Sequence, residues 1–293
     1  MNDESECTVT SLNVSRRGHE YGVCHFLAVA EGLLSDVIAS TLGLSVESVD
    51  AIVQLGGVYL KGERVLSKKE LVRTGEYLRV HTTPRRFPIH KINIQDIKVF
   101  ENEDFVVVNK PAGVPVHATV DNWCENIIFE LNKVEAVPLK VTHRLDIPTQ
   151  GLLVLAKSRD FQRQFNTYLA QAKVKKIYRA TVQGENIRDG RWTHWMEPSP
   201  RAPKVIKSEP QPGWLRCSIV VLEVERLSAG VSRVLIELET GRTHQIRAQL
   251  SYAGYPIAGD GLYGSQVKLS NEHEEIDLQC CRLQFPPSYS FSL

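Results

Sequence analysis

Hydrophobic positions follow two periods along the chain, and each period predicts one kind of element. Apolar residues at helical spacing predict helices at residues 25–41, 46–55, 122–133 and 160–172. Short aliphatic runs and strict alternation predict strands at residues 58–60, 77–81, 97–100, 105–109, 152–156, 175–182, 217–226 and 231–238. The last two strands are the clearest antiparallel pair. The tryptophan- and proline-rich residues 192–211 predict a long connection.

Changes of composition divide the chain into four parts. Residues 1–18 are polar and predict a loose N-terminal extension. Two helices, a glycine turn and short strands in residues 19–83 predict a small compact domain. Residues 84–91 hold two prolines around two arginines, which predicts a basic linker. Residues 92–293 form the second, larger domain.

One carboxylate, Asp146, stands just before a Pro-Thr-Gln-Gly turn and the buried strand predicted at residues 152–156. If residues 141–146 are extended, Arg144 and Asp146 share one face and His143 lies on the other. Such a pair on a strand is most simply a surface ion pair worth about 0–1 kcal/mol. Its meaning therefore depends on the rest of the chain.

The overall composition is that of an ordinary globular protein. Hydrophobic residues make up 42% of the 293 residues and charged residues 24%, which indicates neither a disordered nor a membrane protein. No apolar run approaches the length of a membrane span, and the acidic start MNDESE is unlike a targeting peptide. We therefore expect a soluble intracellular protein, cytoplasmic by default.

The residues that bind metals and cofactors show no recognisable spacing. The six cysteines are scattered without a C-x-x-C pair, which favours neither a zinc site nor a disulfide framework. The histidines His143, His194 and His244 lack metal-ligand spacing as well. Neither a dinucleotide glycine motif nor a Walker loop is present, so we expect no nucleotide cofactor.

Charge is distributed unevenly, although the net charge is only +1. Residues 157–216 contain thirteen Lys and Arg residues against five Asp and Glu residues. This segment is suited either to a polyanion or to a solvated face, and charge alone leaves both open.

Four segments of the chain form recognisable motifs: VVNKPAGVPVHA at residues 107–118, HRLDIPTQGLLVLAKS at 143–158, KKIYRA at 175–180 and ETGRTHQIRAQLSYAGYPIAGDGLYG at 239–264. Together they resemble the RluA-type family of RNA pseudouridine synthases. Their order is that of the family, and the second and fourth segments are highly specific. In residues 19–83, a helix followed by the segments GGVYLKGERV and LVRTGEYLRV also looks like the alpha-L RNA-binding module of many RNA-modifying enzymes. The second helix of that module is usually basic, whereas the helix predicted at residues 46–55 lacks Lys and Arg.

The resemblance implies roles for particular residues. Asp146 would be the catalytic carboxylate, Arg247 its partner, and Tyr178 the residue that packs on the uracil ring and helps to remove the C5 proton. Arg144 would fill the gap that the extruded nucleotide leaves in the RNA helix. The other substrate-binding positions implied are His143, Lys176, Arg242, Thr243 and His244. We expect the Asp146 carboxylate within salt-bridge distance of the Arg247 guanidinium.

The resemblance also implies an α+β fold, with a mixed, largely antiparallel sheet and flanking helices after the small module. It implies an RNA-directed isomerase that works as a monomer on rRNA or tRNA, without a cofactor or a membrane. Gln150 and Gln279 depart from the family, which usually has Ser and often His there. Two other readings stay open: a catalytically silent RNA-binding protein, and a hydrolase that uses Asp146 with His143 or His244 as base.

Overall fold

The computed structural model describes residues 14–15, 22–269 and 276–293. The predicted extension at residues 1–18 lies outside them, except for residues 14–15. The described chain forms two compact units. The first contains the residues up to Phe87 together with His117–Glu130, and the second contains Pro88–Val116 and Leu131–Leu293. The structure thus groups residues 84–87 and 117–130 with the first unit, whereas composition assigned them to the linker and the second domain.

The first unit combines two helices with short strands. Its elements are β1 (Val14–Ser15), β2 (Val23–Leu27), β3 (Gly32–Leu33), α1 (Leu34–Leu42), α2 (Val46–Leu55), β4 (Val58–Leu60), β5 (Glu63–Val65), β6 (Leu71–Val72) and β7 (Tyr77–His81). Five of these strands form a small antiparallel sheet with strand order β1-β2-β7-β4-β5. Strands β3 and β6 form a separate pair.

The start of the first unit differs from the helix predicted at residues 25–41. Residues 23–27 form strand β2, and the helix begins only at Leu34. Cys24 and Phe26 are buried while their neighbours are more exposed, so this part of the segment has a period of two. The second helix was predicted correctly, and the Ser45 hydroxyl accepts from the backbone N–H of Ser48, 3.2 Å away, at its start.

Residues 117–130 belong to the first unit because their carboxylates hold its last residues. Asp121 accepts two hydrogen bonds from the Arg85 guanidinium, at 2.7 and 2.9 Å. Glu125 accepts from the Arg86 side chain and from the backbone N–H of Phe87, both at 2.8 Å. The two arginines of the predicted linker are therefore partners in ion pairs.

The second unit is built on one mixed sheet. Its strands are β8 (Lys98–Glu101), β9 (Phe105–Lys110), β10 (Lys140–Val141), β11 (Gln150–Ala156), β12 (Lys175–Gln183), β13 (Gly190–Met196), β14 (Ile206–Lys207), β15 (Leu215–Ser228), β16 (Val231–Leu238), β17 (Leu278–Phe285) and β18 (Tyr289–Ser292). The strand order is β14-β13-β15-β16-β12-β17-β11-β9-β8, to which β10 and β18 are added. The pairings between its described strands are antiparallel except for β11 with β17.

The helices are α3 (Ile127–Leu131), which crosses the boundary between the units, α4 (Arg159–Ala170) and α5 (Gln245–Tyr252). The α+β class and the mixed, mostly antiparallel sheet are as expected. Each described helix is too short or too polar to cross a bilayer.

Two predicted elements are wrong, and the extended conformation considered for residues 141–146 is not formed. Residues 192–211 are not a plain connection, because β13 pairs with β15 over its whole length and β14 pairs with β13. Helix α3 is shorter than residues 122–133, because the side chain of Asn122 caps backbone N–H groups of the preceding turn instead. The extended segment at 141–146 ends at Val141, and Arg144 and Asp146 lie in a loop.

Strand β11 is a buried interior strand of the sheet and positions the loop before it. Gly151 has φ +116°, and a Cβ there would lie 2.3 Å from the carbonyl oxygen of Cys280 on β17. Only glycine allows this close pairing. The same pairing sets Gln150 opposite Gln279, so the two departures from the family sequence are neighbours in the sheet.

Candidate active site

Asp146 lies in the loop between β10 and β11, and a buried lysine holds this loop. The Lys110 ammonium, at the end of β9, donates to the carbonyl oxygens of Pro111, Val114 and Ile147 at 2.7, 2.8 and 3.1 Å. Burial lowers the pKa of Lys110 to about 7, whereas the charge of Asp146 raises it. Three carbonyl acceptors match the three donors of an ammonium, so the contacts favour the charged form.

Arg247, on helix α5, faces Asp146 and is fixed from behind by Asp260. Its Nη1 lies 3.7 Å from Asp146 Oδ2, within the expected salt-bridge distance. Its Nε and Nη2 donate to the two Asp260 oxygens at 2.7 and 2.9 Å. Burial would lower the pKa of Arg247, but the bonds and charge of Asp260 and the charge of Asp146 raise it. The bidentate pair holds the guanidinium in one orientation.

His244 precedes helix α5 and approaches the same carboxylate. Its Nε2 lies 4.0 Å from Asp146 Oδ2, and its Nδ1 lies 3.1 Å from the Tyr263 hydroxyl. Desolvation lowers the pKa of His244 more than the nearby carboxylates raise it. A guanidinium and an imidazole therefore lie within 4.0 Å of Asp146 Oδ2, and the space that these three side chains border is the candidate cleft.

Tyr178 lies on β12, opposite Cys280 of β17, with 5% of its surface exposed. Burial raises the pKa of its phenol well above the usual value, and the charges of Cys280 and Asp146 add to this rise. The phenol therefore keeps its proton at neutral pH. A phenol in this state can donate a hydrogen bond but does not act as a base.

The segment before α5 is held by the side chain of Gln245. Its Oε1 accepts from the Thr240 hydroxyl and from the backbone N–H of Arg242, at 2.9 and 3.0 Å. Its Nε2 donates to the Ser218 carbonyl oxygen, 3.2 Å away. These bonds tie the loop that carries Arg242 to strand β15.

The remaining predicted positions fall into two groups. Arg242 and Thr243 are exposed and line a groove of about 280 Å³ with Ser199, Lys204 and five other residues. Lys176 is partly buried, which lowers the pKa of its amine, and a Cβ on Gly241 would lie 3.6 Å from its Nζ. These side chains therefore lie around the loop that leads into α5.

His143 is not in the cleft. Its Nε2 accepts from the backbone N–H of Val154, 3.2 Å away, and its ring stacks on Phe165. Burial lowers its pKa to about 3. The structure thus places His143 in the core, where it holds β11, while Arg144 is exposed on the loop beside it.

Sequence reasoning missed Lys110, Asp260 and Tyr263, although all three lie in the quoted segments. A signal existed for each: a lysine directly after an aliphatic strand, and an acid and an aromatic residue in the glycine-rich GDGLYG. Within residues 22–269 and 276–293, no three His, Cys, Asp or Glu side chains are placed to hold a metal ion.

The fold is that of the RNA pseudouridine synthases, as comparisons with solved structures show. A human structure, RNA Pseudouridylate Synthase Domain Containing 1, superposes with a TM-score of 0.53 at 27% identity, covering 67% of this chain and 82% of that one. Another, Human RNA Pseudouridylate Synthase Domain Containing 4, superposes with a TM-score of 0.55 at 21% identity, covering 68% and 88%; at that identity it supports the fold alone.

Residues 104–252 match the sequence model of the family described as RNA pseudouridylate synthase, and the chain belongs to this family. Ribosomal large subunit pseudouridine synthase D of Neisseria meningitidis is 30% identical over 266 residues, covering 86% of this chain and 69% of the relative. RNA pseudouridine synthase 6, chloroplastic, of Arabidopsis thaliana is 32% identical over 223 residues, covering 68% and 47%. The RluA-type resemblance is thereby confirmed, and the chain spans about half the length of the chloroplastic relatives it matches.

Proposed function

We propose that this protein isomerises uridine to pseudouridine in structured RNA, with Asp146 as the catalytic carboxylate. The observation that carries the proposal is the position of Asp146, 3.7 Å from an arginine that a second carboxylate already fixes. Both residues lie in the segment that matches the family. The guanidinium places a fixed positive charge beside the carboxylate.

The reaction needs no redox partner. The N1–C1′ bond of uridine breaks, the base turns, C5 joins C1′, and the proton of C5 is lost while N1 gains one. Asp146 serves this sequence either by attacking C1′ or by removing a proton from the ribose, and both routes stay open. Tyr178 packs on the ring of the turning base, and Arg247 orients the carboxylate.

The uridine must leave its stack to reach Asp146, at a cost of a few kcal/mol. We propose that Arg144, exposed on the same loop, occupies the vacated place in the RNA. Lys176 and Arg242 provide positive charge around the cleft, and Thr243 and His244 provide hydrogen bonds. Contacts of the charged side chains to phosphate offset the cost of extrusion. His143 acts through the core, because it is buried behind β11.

Relatives named for the large ribosomal subunit make rRNA the first substrate to examine, with tRNA second. We expect the protein to act as a soluble monomer without a nucleotide cofactor. We further expect the first unit to contact RNA as an alpha-L-type module.

The test is to map pseudouridine in RNA from cells that carry the wild-type protein, Asp146→Asn, Asp160→Asn or no copy. Asp160 is the matched control, because its side chain is 92% exposed. We expect at least one uridine to be modified only with the wild type and the control, with a rate loss of at least about 1,000-fold in Asp146→Asn. Modification that persists in Asp146→Asn would contradict the assignment. RNA binding without any dependent site would support a silent binding protein instead.

A further inference from the structure

His244 adopts a backbone conformation that its residue type disfavours. It has φ 57° and ψ 21°, in the left-handed region, and its side chain does not cap helix α5. Such a conformation strains a non-glycine residue, and strain of this kind gathers at functional sites. The chain keeps histidine here, where glycine would remove the strain.

The partners of Tyr263 decide which nitrogen of His244 carries the proton. The Tyr263 oxygen accepts from the backbone N–H of Lys204 at 2.9 Å, so its own hydrogen needs another acceptor. Among the contacts of the described residues, His244 Nδ1 at 3.1 Å provides it. Burial raises the pKa of Tyr263, so the hydroxyl hydrogen is present at neutral pH. In this arrangement Nδ1 accepts, and the proton of the neutral ring lies on Nε2.

The surroundings of His244 favour the neutral ring. Burial lowers its pKa most strongly, and the charges of Arg247 and Lys204 lower it further. Asp146 and Asp260 act in the opposite direction and do not outweigh these causes. His244 therefore offers one N–H group, and that group faces Asp146.

The donors near Asp146 approach the same oxygen. Arg247 Nη1 lies 3.7 Å and His244 Nε2 lies 4.0 Å from Oδ2. Both separations are longer than a hydrogen bond, and catalytic bonds of this kind often shorten only when substrate binds. With both donors on Oδ2, the other oxygen, Oδ1, is left for the ribose.

We propose that Tyr263 fixes the Nε2–H tautomer of His244, and that His244 then donates to Asp146 Oδ2 in the RNA complex and presents Oδ1 to the substrate. Both are positioning residues, because they act through Asp146. This goes beyond a general substrate-binding role for His244, and its catalytic part rests on the proposed function.

The tautomer is tested on the protein without RNA. Nitrogen-15 spectra of histidine-labelled protein at neutral pH should show an acceptor-type Nδ1 and a protonated Nε2 for His244. Tyr263→Phe keeps the ring beside Arg247, whose Cζ lies 4.9 Å from its centroid, and should yield a mixture of both tautomers. A protonated Nδ1 in the wild type, or an unchanged spectrum in Tyr263→Phe, would overturn the proposal.

The catalytic part is tested with His244→Ala and His244→Gln, with the exposed His90→Ala as the control. His244→Ala should lower kcat about 10- to 100-fold at unchanged KM, the effect of one lost hydrogen bond to a charged group. A glutamine amide restores an N–H group near the place of Nε2, so His244→Gln should recover much of that loss. Equal losses in both variants, or a change in KM alone, would overturn this role. An inactive wild type would overturn the proposed function, and the spectra would still decide the tautomer.

Discussion

Two arginine–aspartate pairs, one in each unit, differ in how completely the carboxylate is bonded. In the first unit, Asp121 accepts from the Arg85 guanidinium at 2.7 and 2.9 Å, from the Arg85 backbone N–H at 2.9 Å and from the Thr119 hydroxyl at 2.8 Å. In the second unit, the arginine and histidine that face Asp146 stand 3.7 and 4.0 Å away. Four hydrogen bonds thus hold the Asp121 carboxylate, and we call this pair closed. The arginine and histidine atoms that face Asp146 lie beyond hydrogen-bond distance, and we call that pair open.

The difference shows how a protein keeps a carboxylate available beside an arginine. Arg247 makes its tight, bidentate pair with Asp260, which has 1% of its surface exposed. The guanidinium is thereby held without closing on Asp146, whose side chain stays 24% exposed. The Asp260 carboxylate is thus taken up by the ion pair, while the Asp146 carboxylate stays partly exposed.

Asp260→Asn should break this arrangement most severely. The amide cannot balance the buried charge of Arg247, and removing one partner of a buried pair costs about 3–5 kcal/mol. Arg247 would then turn toward Asp146 and close on it. We expect pseudouridine formation to fall about 100-fold or more, measured as a single-turnover rate, with a matching loss in urea unfolding.

Asp189→Asn, at an exposed acid, is the control for Asp260→Asn and should change neither quantity. A wild-type rate in Asp260→Asn would contradict the idea that the Arg247–Asp260 pair keeps Arg247 from closing on Asp146.

Lys110→Met should weaken the contacts that hold the loop carrying Asp146. Methionine fills a similar volume but leaves the carbonyl oxygens of Pro111, Val114 and Ile147 without their donor. The loss of a buried charged donor predicts a destabilisation of about 3–5 kcal/mol. The Asp146 loop should also lose its position, so we expect the rate to fall about 10-fold or more at temperatures where the variant is folded.

Thermal unfolding and a rate measurement at low temperature separate the two effects of Lys110→Met. The exposed Lys91→Met serves as the control. A destabilised variant with the wild-type rate would show that Lys110 supports the fold alone.

The sequence predicted those parts of both regions that depend on local pattern. The aliphatic run of β11 and the alternation of β12 were predicted within one or two residues, because side-chain period follows burial directly. The helix predicted at 25–41 failed at its start, since pairing with β7 outweighed an apolar pattern that suits both structures. Strand β13 was hidden by nearby prolines and polar residues, although it pairs along its full length with β15.

Sequence motifs predicted that Asp146 and Arg247 lie close together, but not which residues hold them in place. The separation of Asp146 and Arg247 met the expectation, whereas the roles of the site residues stay predictions. Asp260 and Tyr263 were missed because their part depends on contacts across the fold, with Arg247 and His244, that no spacing in the chain reveals. His143 was expected at the substrate, yet a backbone N–H of β11 needed an acceptor in the core, and His143 supplies it.

Asp121→Asn should affect the stability of the protein alone, in contrast to changes around Asp146. The variant loses a charge-assisted pair whose acid is buried but whose arginine side chain is 55% exposed, so we expect a loss of about 1–3 kcal/mol. The rate at the Asp146 site should not change when the protein is folded. Urea unfolding together with the single-turnover rate tests both parts, with Asp104→Asn as an exposed control. A large change in kcat would show that this closed pair also serves the chemistry.

The stabilising effect of the closed pair should also depend on pH in a defined direction. Burial alone would raise the pKa of Asp121, but the hydrogen bonds from Arg85 and Thr119 outweigh it and hold the pKa well below the usual value. A carboxyl whose pKa is lower in the folded state stabilises the fold above its unfolded pKa of about 3.9, and this contribution is lost as the pH falls below that value.

The difference in unfolding free energy between the wild type and Asp121→Asn should therefore be constant from about pH 7 to pH 5 and shrink below about pH 4. Parallel urea unfolding of both proteins at intervals from pH 7 to pH 3 measures it. The comparison of the two proteins cancels other acid-sensitive groups, among them His143, whose depressed pKa also weakens the fold as the pH falls below about 6.5. A difference that grows toward low pH would mean that the Arg85–Asp121 bonds do not hold the carboxylate in its charged form. The proposed contrast between the closed Arg85–Asp121 pair and the open pair at Asp146 would then be wrong.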